Sequence, residues 1–298
     1  MNLSKIIVDN KVPKVILRYI MINFLDLESI ERAIYIVKEL NVLDTYSKNF
    51  LKNAYGGFVW NCREGHLNIA QWLYARYDIT NNNYCDAFEA ACKNGHLDVA
   101  QWLYPIAFDV DGFVCHCRNE QNIIRPKYGL INWTDIHDRE EYLFREVCQR
   151  GHLNIAQWLY SLKCINIHVW NDEPFRLACV NNHMDLAKWL VSISLPGCGI
   201  YTANNTFGQV CMQGHFGMAQ WLVSISQPGR DMETSNKIDI HAHDECAFRW
   251  ACEYGHLDIA QWLYTLDKID IHARNSYAMR WAQKMNHINV VGWLQQLV

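Results

Sequence analysis

No stretch of the 298 residues is long and apolar enough to suggest a membrane span. The longest candidate, 12–27, is broken by Lys14, Arg18, Asn23 and Asp26. Neither sign of charge prevails: 27 basic residues against 31 acidic ones give a net charge of −4. That balance argues against a nucleic-acid or anionic-membrane partner. The amino-terminal residues carry neither the apolar run nor the small-residue cleavage site of an export signal, so a cytoplasmic protein is expected. Its 12 cysteines should then be reduced thiols. Also missing are a P-loop, Gly-x-Gly-x-x-Gly, His-Glu-x-x-His and Gly-x-Ser-x-Gly. Neither catalysis nor a cofactor is expected.

What is present is repetition. Half the residues are apolar and 19% are charged, an ordinary globular mix, yet 12 Trp and 13 His are many for this length. The string GHLNIAQWLY occurs twice, with GHLDVAQWLY and GHLDIAQWLY beside it. Anchoring on the His gives seven copies, at His66, His96, His152, His183, His215, His256 and His287. Their spacings of 30, 56, 31, 32, 41 and 31 define a unit of about 31 residues with insertions near 105–135 and 227–236. A period of that size predicts a solenoid.

Within a copy, Phe (Met279 in the last) stands eight residues before the anchor and Cys (Gln283 in the last) four before. That i, i+4 pair marks the buried face of a short first helix. Only Gly or Asn immediately precedes the anchor, as a left-handed helix end requires. Beyond it, Leu67, Ile69, Ala70, Trp72 and Leu73 in the first copy form the wide apolar stripe of a second helix. Short extended segments join the copies: Ile165-Asn166-Ile167-His168, Ile238-Asp239-Ile240-His241, Ile269-Asp270-Ile271-His272 and, more weakly, Thr134-Asp135-Ile136-His137. Each of these His residues stands fifteen residues before an anchor.

This pattern resembles the ankyrin repeat over residues 57–298. Gly-His between helices, the second-helix pattern and Asp-Ile-His-Ala in place of Asp-Val-Asn-Ala carry the likeness. The Thr-Pro-Leu-His opening survives only as Glu173-Pro174-Phe175-Arg176, and the unit is two residues short, a deficit assigned to the hairpin. The Cys after Ala, the Gln-Trp-Leu and the shortened hairpin resemble ankyrin proteins of large DNA viruses of amoebae, which implies a host-cell cytoplasm. The expected architecture is an all-α-type solenoid of at least seven helix-turn-helix units, each with a short hairpin, behind an N-terminal helical segment, 1–56. In the last copy Gly292 replaces Gln and Gln295-Gln296 are expected to face outward, as in a terminal cap.

Most of the unusual residues are absorbed by the repeat. Six cysteines share one register. Stacked helices stand about 10 Å apart and a disulfide needs Cα atoms within about 7 Å, so these cysteines are expected as small buried hydrophobes. The His and Trp columns are expected to be structural. Cys115-His116-Cys117, near Asp109 and Asp111, offers zinc ligands but is spaced too tightly for a usual site, so no metal is assigned.

The likeness implies non-catalytic binding of a protein partner by a monomer, on a concave face. Positions that vary between copies are its candidates, above all the two residues before the Gly or Asn. These are Arg63 and Glu64, Lys93 and Asn94, Gln149 and Arg150, Val180 and Asn181, Met212 and Gln213, Glu253 and Tyr254, and Lys284 and Met285. Met212, Tyr254 and Met285 are the expected apolar anchors. The alternative function lies in 1–56. Pro13, Ile16, Leu17, Ile20, Leu25 and Ile30 follow an order that resembles an F-box. That would imply docking on the Skp adaptor of a cullin-type ubiquitin ligase, with the repeats as substrate receptor. Lys14 and Val15, one extra residue between Ile20 and Leu25, and Leu40 in place of Trp depart from it. A helix pair capping the first repeat is the other reading of this segment.

Overall fold

The computed structural model describes residues 54–76, 81–108, 138–162, 165–194, 203–226 and 238–297. Among them are fourteen helices and no strand. They run α1 Ala54–Arg63, α2 Leu67–Arg76, α3 Asn81–Lys93, α4 Leu97–Phe108, α5 Asp138–Arg150, α6 Leu153–Ser161, α7 Val169–Val180, α8 Met184–Ile193, α9 Ala203–Met212, α10 Phe216–Ile225, α11 Ala242–Glu253, α12 Leu257–Leu266, α13 Ala273–Lys284 and α14 Ile288–Gln295. The chain divides into two compact units, Met1–Asp138 and Arg139–Val298. Within each, helices pack in series as helix-turn-helix pairs, one pair per sequence copy, compatible with a helical solenoid. The start of the longer insertion is helical: α4 continues through Pro105 to Phe108.

The core is built from the repeated columns. Phe58, Phe88, Phe144, Phe207 and Phe248 are fully enclosed, as are Cys62, Cys92, Cys148, Cys179, Cys211 and Cys252. The second helices bury Ala70, Ala100, Ala156, Ala187, Ala219 and Ala260 completely. With only a methyl group there, each second helix can lie close to its own first helix. Successive first helices also pack on one another, α1 on α3, α9 on α11 and α11 on α13, and they do so far more than successive second helices.

The Trp column does not stack on itself. Trp102 meets Phe58 and Tyr74 of the preceding copy, at ring-centroid distances of 6.2 and 5.8 Å. Trp293 meets Phe248 and Tyr264 at 6.2 and 5.8 Å. Trp189 packs edge-on to Tyr160, Trp221 against Phe175, and Trp262 against Phe207 and Phe216. Each of these five Trp is therefore a wedge into the copy before it, worth about 0.5–1.5 kcal/mol per aromatic pair beyond burial.

Among the described residues no hairpin is formed; Thr134-Asp135-Ile136-His137 lies outside them. The connections that would supply a hairpin are instead a side-chain-capped bend followed by one left-handed turn. Trp170-Asn171-Asp172, His243-Asp244-Glu245 and Arg274-Asn275-Ser276 all have φ between 48° and 61°. Three consecutive non-glycine residues in this region cost roughly 1–2 kcal/mol each. Polar side chains offset that cost, the His contacts recurring in all three turns and the Arg contacts in the last two. The backbone N–H of His168, His241 and His272 donates to Asn166, Asp239 and Asp270 at 2.9–3.0 Å. Their Nδ1 atoms face Asp172, Glu245 and Ser276, four residues on. Arg249 then donates to the carbonyls of His243 and Asp244, at 2.9 and 2.6 Å, and Arg280 to those of Arg274 and Asn275, at 3.2 and 2.9 Å. The guanidinium fork thus satisfies carbonyls that a left-handed turn leaves without helical partners.

The same turn joins neighbouring copies. The Asn166 N–H donates to Glu141 (3.0 Å), the Asp239 N–H to Asn204 (2.8 Å) and the Asp270 N–H to Glu245 (3.3 Å). One side-chain bond per interface stands where the resemblance implies strand pairing. A unit two residues short lacks the chain for a hairpin, and the left-handed turn takes up less of it.

Candidate binding face

Every first helix ends in the same backbone arrangement. The anchor N–H bonds back to the carbonyl five residues earlier, as in His256 to Ala251 at 2.8 Å and His183 to Ala178 at 2.8 Å. The residue between helix and anchor is left-handed throughout: Gly255 has φ +83° and Asn182 +62°. This is the six-to-one bond of a Schellman ending.

The anchor ring fixes that ending to the next copy. His183 Nε2 donates to the Gln149 carbonyl at 2.9 Å, His215 to Val180 at 3.0 Å and His256 to Met212 at 2.9 Å. A carbonyl can only accept, so Nε2 carries the proton in each. Burial holds the His215 ring below its ordinary pKa, with His256 and His183 adding to the effect and its own bond to Val180 opposing it. The ring also explains the glycine. A Cβ on Gly255 would sit 2.5 Å from His287 Nδ1, and one on Gly151 would sit 2.2 Å from His183 Nδ1.

The sequence candidates divide by position. Those two before the anchor are mostly exposed: Glu64, Arg150, Asn181, Gln213, Tyr254 and Met285. Those three before it are mostly not. Met212 and Val180 are half-buried, and so is Glu253, which accepts from the Tyr277 hydroxyl at 2.8 Å. Lys93 is half-buried against Glu89, at 2.5 Å, and Asn94 donates to the Ala90 carbonyl at 2.7 Å. Met212, Lys93, Asn94 and Glu253 are thus less exposed than Glu64, Arg150, Gln213 and Tyr254. The Met212 backbone carbonyl also receives the next copy's His256 ring at 2.9 Å. Arg63 and Gln149 remain exposed, Arg63 lying 3.9 Å from Glu64 and Arg150 lying 3.6 Å from Glu146. Asn181 returns its amide to the Leu177 carbonyl at 2.8 Å. Pro13, Ile16, Leu17, Ile20, Leu25 and Ile30, and the Cys115-His116-Cys117 cluster, lie outside the described residues.

Large exposed apolar side chains gather at the C-terminal copies. Tyr254 is 48% exposed and Met285 is 49% exposed. Beside them Tyr277 stacks on Trp281 at 5.6 Å, the Lys284 ammonium lies 4.0 Å above the Trp281 ring, and Arg249 lies 4.8 Å above Tyr277. Burial, then the bond to Glu253, pushes the Tyr277 phenol up to about 12. Trp250, Trp281 and Tyr277 were not among the sequence candidates. A signal for the two Trp existed: they stand six residues before their anchors, off every core column. Gly208, in the place of Arg145, Arg176, Arg249 and Arg280, was a second sign, because a Cβ there would come within 2.9 Å of the Trp250 ring.

The thiol column is chemically silent. Burial raises the pKa of Cys62 to about 12 and that of Cys92, Cys148, Cys179, Cys211 and Cys252 further still. The nucleophile in alkylation is the thiolate. Iodoacetamide applied to the native protein will therefore modify half-exposed Cys85 well before these six. Peptide mass spectrometry checks this, and equal labelling of Cys85 and the column would refute it. Among the described residues no group of three or more His, Cys, Asp or Glu is placed to hold a metal ion, and no helix is long and apolar enough to cross a membrane. The chain matches no known protein family and no curated protein.

Proposed function

We propose that the chain is a non-catalytic protein-binding solenoid of the ankyrin type, which holds a partner protein on the ends of the first helices within residues 139–298. One observation carries the reading. The residue two before each anchor changes from Glu64 to Asn94, Arg150, Asn181, Gln213, Tyr254 and Met285, while the residues around it repeat. The repeating neighbours are occupied: the Gly or Asn by its backbone angle, the anchor by its bond to the preceding copy, the Cys by burial. The varying side chains are free of these tasks and, apart from Asn94, lie exposed on the same side of each helix pair. Mixed polar residues around aromatic and Met anchors form the composition of a protein-binding patch.

The test uses the double substitution Tyr254→Ser with Met285→Ser, two exposed positions whose change should move stability by no more than about 0.5 kcal/mol. Proteins captured from eukaryotic cell extract are compared quantitatively between wild type and variant. A true anchor pair is worth about 2 kcal/mol or more, so specific capture should fall at least tenfold. Capture unchanged by a correctly folded variant would remove the C-terminal copies from the binding face.

A further inference from the structure

Where the sixth copy meets the seventh, one imidazole lies between two carboxylates. His241 Nδ1 is 2.8 Å from Glu245 Oε1, and its Nε2 is 3.5 Å from Asp267 Oδ2. Glu245 belongs to the left-handed turn of the sixth copy and is 94% buried by its 6% exposure. The oxygen that faces His241 also accepts the Asp270 N–H at 3.3 Å. Asp267 ends α12 and opens the connection into α13. The cluster therefore spans the whole junction.

The chemistry of the ring decides what this arrangement does. An imidazolium has an N–H on both nitrogens and can bond Glu245 and Asp267 together. A neutral ring has one N–H and leaves one carboxylate unanswered. The other charged groups nearby are already committed. Asp239 accepts the backbone N–H of His241 at 3.0 Å. Asp244 pairs with Arg274 at 2.9 Å, and Arg249 donates to the carbonyls of His243 and Asp244. Lys268 gives its backbone N–H to Asp267 at 2.7 Å while its side chain is exposed. His272 faces the Ser276 hydroxyl at 3.0 Å, and Asp270 Oδ1 accepts the His272 N–H at 2.9 Å. At the junction between the fifth and sixth copies the same bridging position is Asn204, which cannot titrate.

We infer that His241 is a proton-operated clasp, which holds the connection entering the seventh copy against the sixth when the ring is charged and loosens it when the ring is neutral. The hydrogen bond from Glu245 raises the pKa of His241 above its ordinary value, and Asp267 adds to it. The Asp267 carboxyl is lowered, first by the Lys268 N–H and then by His241. The raised histidine contributes stability that is present below its unfolded pKa and lost as pH rises through its folded one. The lowered carboxylate contributes stability that is lost as pH falls through its folded pKa. The clasp is closed between these limits and opens on the alkaline side. Solenoid stability is a sum over copies and nearest-neighbour interfaces, so the effect should stay in the seventh copy.

Hydrogen exchange of the full chain tests it, with exposure times scaled for the pH dependence of the chemical rate. Between about pH 6 and about pH 8, protection of α13 and α14 should fall about two- to fivefold, the range of a half-exposed ion pair. Protection in α9 and α10 should not change. His241→Gln should flatten the dependence, and so should Asp267→Asn, whose site is too exposed for the change to unfold the chain. The same fall in either variant, or no fall in the wild type, overturns the inference.

Discussion

Phe248→Ala will destabilise the chain by about 3–5 kcal/mol, the cost of emptying a closed aromatic site. Phe248 is fully buried. It lies on α11, which packs against α9, α12 and α13 together, so no single neighbour can move in without leaving another. The ring also supports Trp293 from the next copy, 6.2 Å away. Its loss removes a wall of the site that the seventh copy's Trp fills. Urea unfolding followed by circular dichroism measures the change. In hydrogen exchange, read peptide by peptide, α13 and α14 should open before the rest. A loss under about 1 kcal/mol would mean that the repeated Phe is a peripheral contact and not the core.

Gly255→Ala will cost about 2–3 kcal/mol, and Gly255→Asn clearly less. Two effects add in alanine. A side chain at φ +83° costs roughly 1–2 kcal/mol, and its Cβ, 2.5 Å from His287 Nδ1, must displace the ring that locks the next copy. Asparagine tolerates the left-handed angle. Asn182 shows that a Cβ can be admitted: His215 still reaches the Val180 carbonyl at 3.0 Å across from it. Gly217→Ala should have the opposite sign. It lies in α10, a Cβ there meets nothing within 4 Å, and helix propensity favours alanine by about 0.5–1 kcal/mol. Thermal melts of the three variants give the order. Equal costs at Gly255 and Gly217 would show that neither the backbone angle nor the ring matters.

The helix pairs were legible because each leaves a local mark. Gly or Asn before His, Cys four before and Ala four after record a helix end and two buried faces without reference to any other copy. The connections were not legible in that way. Trp170-Asn171-Asp172, His243-Asp244-Glu245 and Arg274-Asn275-Ser276 share only a central Asn or Asp, which tolerates one left-handed residue but does not announce three in a row. In the last two the turn is held by partners four and eight residues from a His, while in the first Arg176 pairs with Glu173 and Gln209 instead. That spacing was on the page as His137-Glu141-Arg145, His168-Asp172-Arg176, His241-Glu245-Arg249 and His272-Ser276-Arg280. Read as an extended strand, the segment Ile-Asp-Ile-His hid it. The binding face was half legible for a related reason. Variation between copies identified the right pair of positions, but variation does not report depth. Met212 and Glu253 vary as freely as Tyr254 and yet are half-buried, Glu253 beneath the Tyr277 hydroxyl of the next copy.

Nearly all the polar bonds between copies run one way. The donors, His183, His215 and His256 through their rings and Asn166, Asp239 and Asp270 through their backbones, belong to the later copy, and the acceptors belong to the earlier. Arg176, donating to Gln209 at 2.8 Å, is an exception. A ribosome makes the chain in that same order. Each newly emerged copy finds the carbonyls and carboxylates it needs already folded and waiting. The unfinished end shows to water oxygen atoms that water can satisfy. The polarity of these bonds is thus the polarity of synthesis, so that each of these donors meets an acceptor made before it.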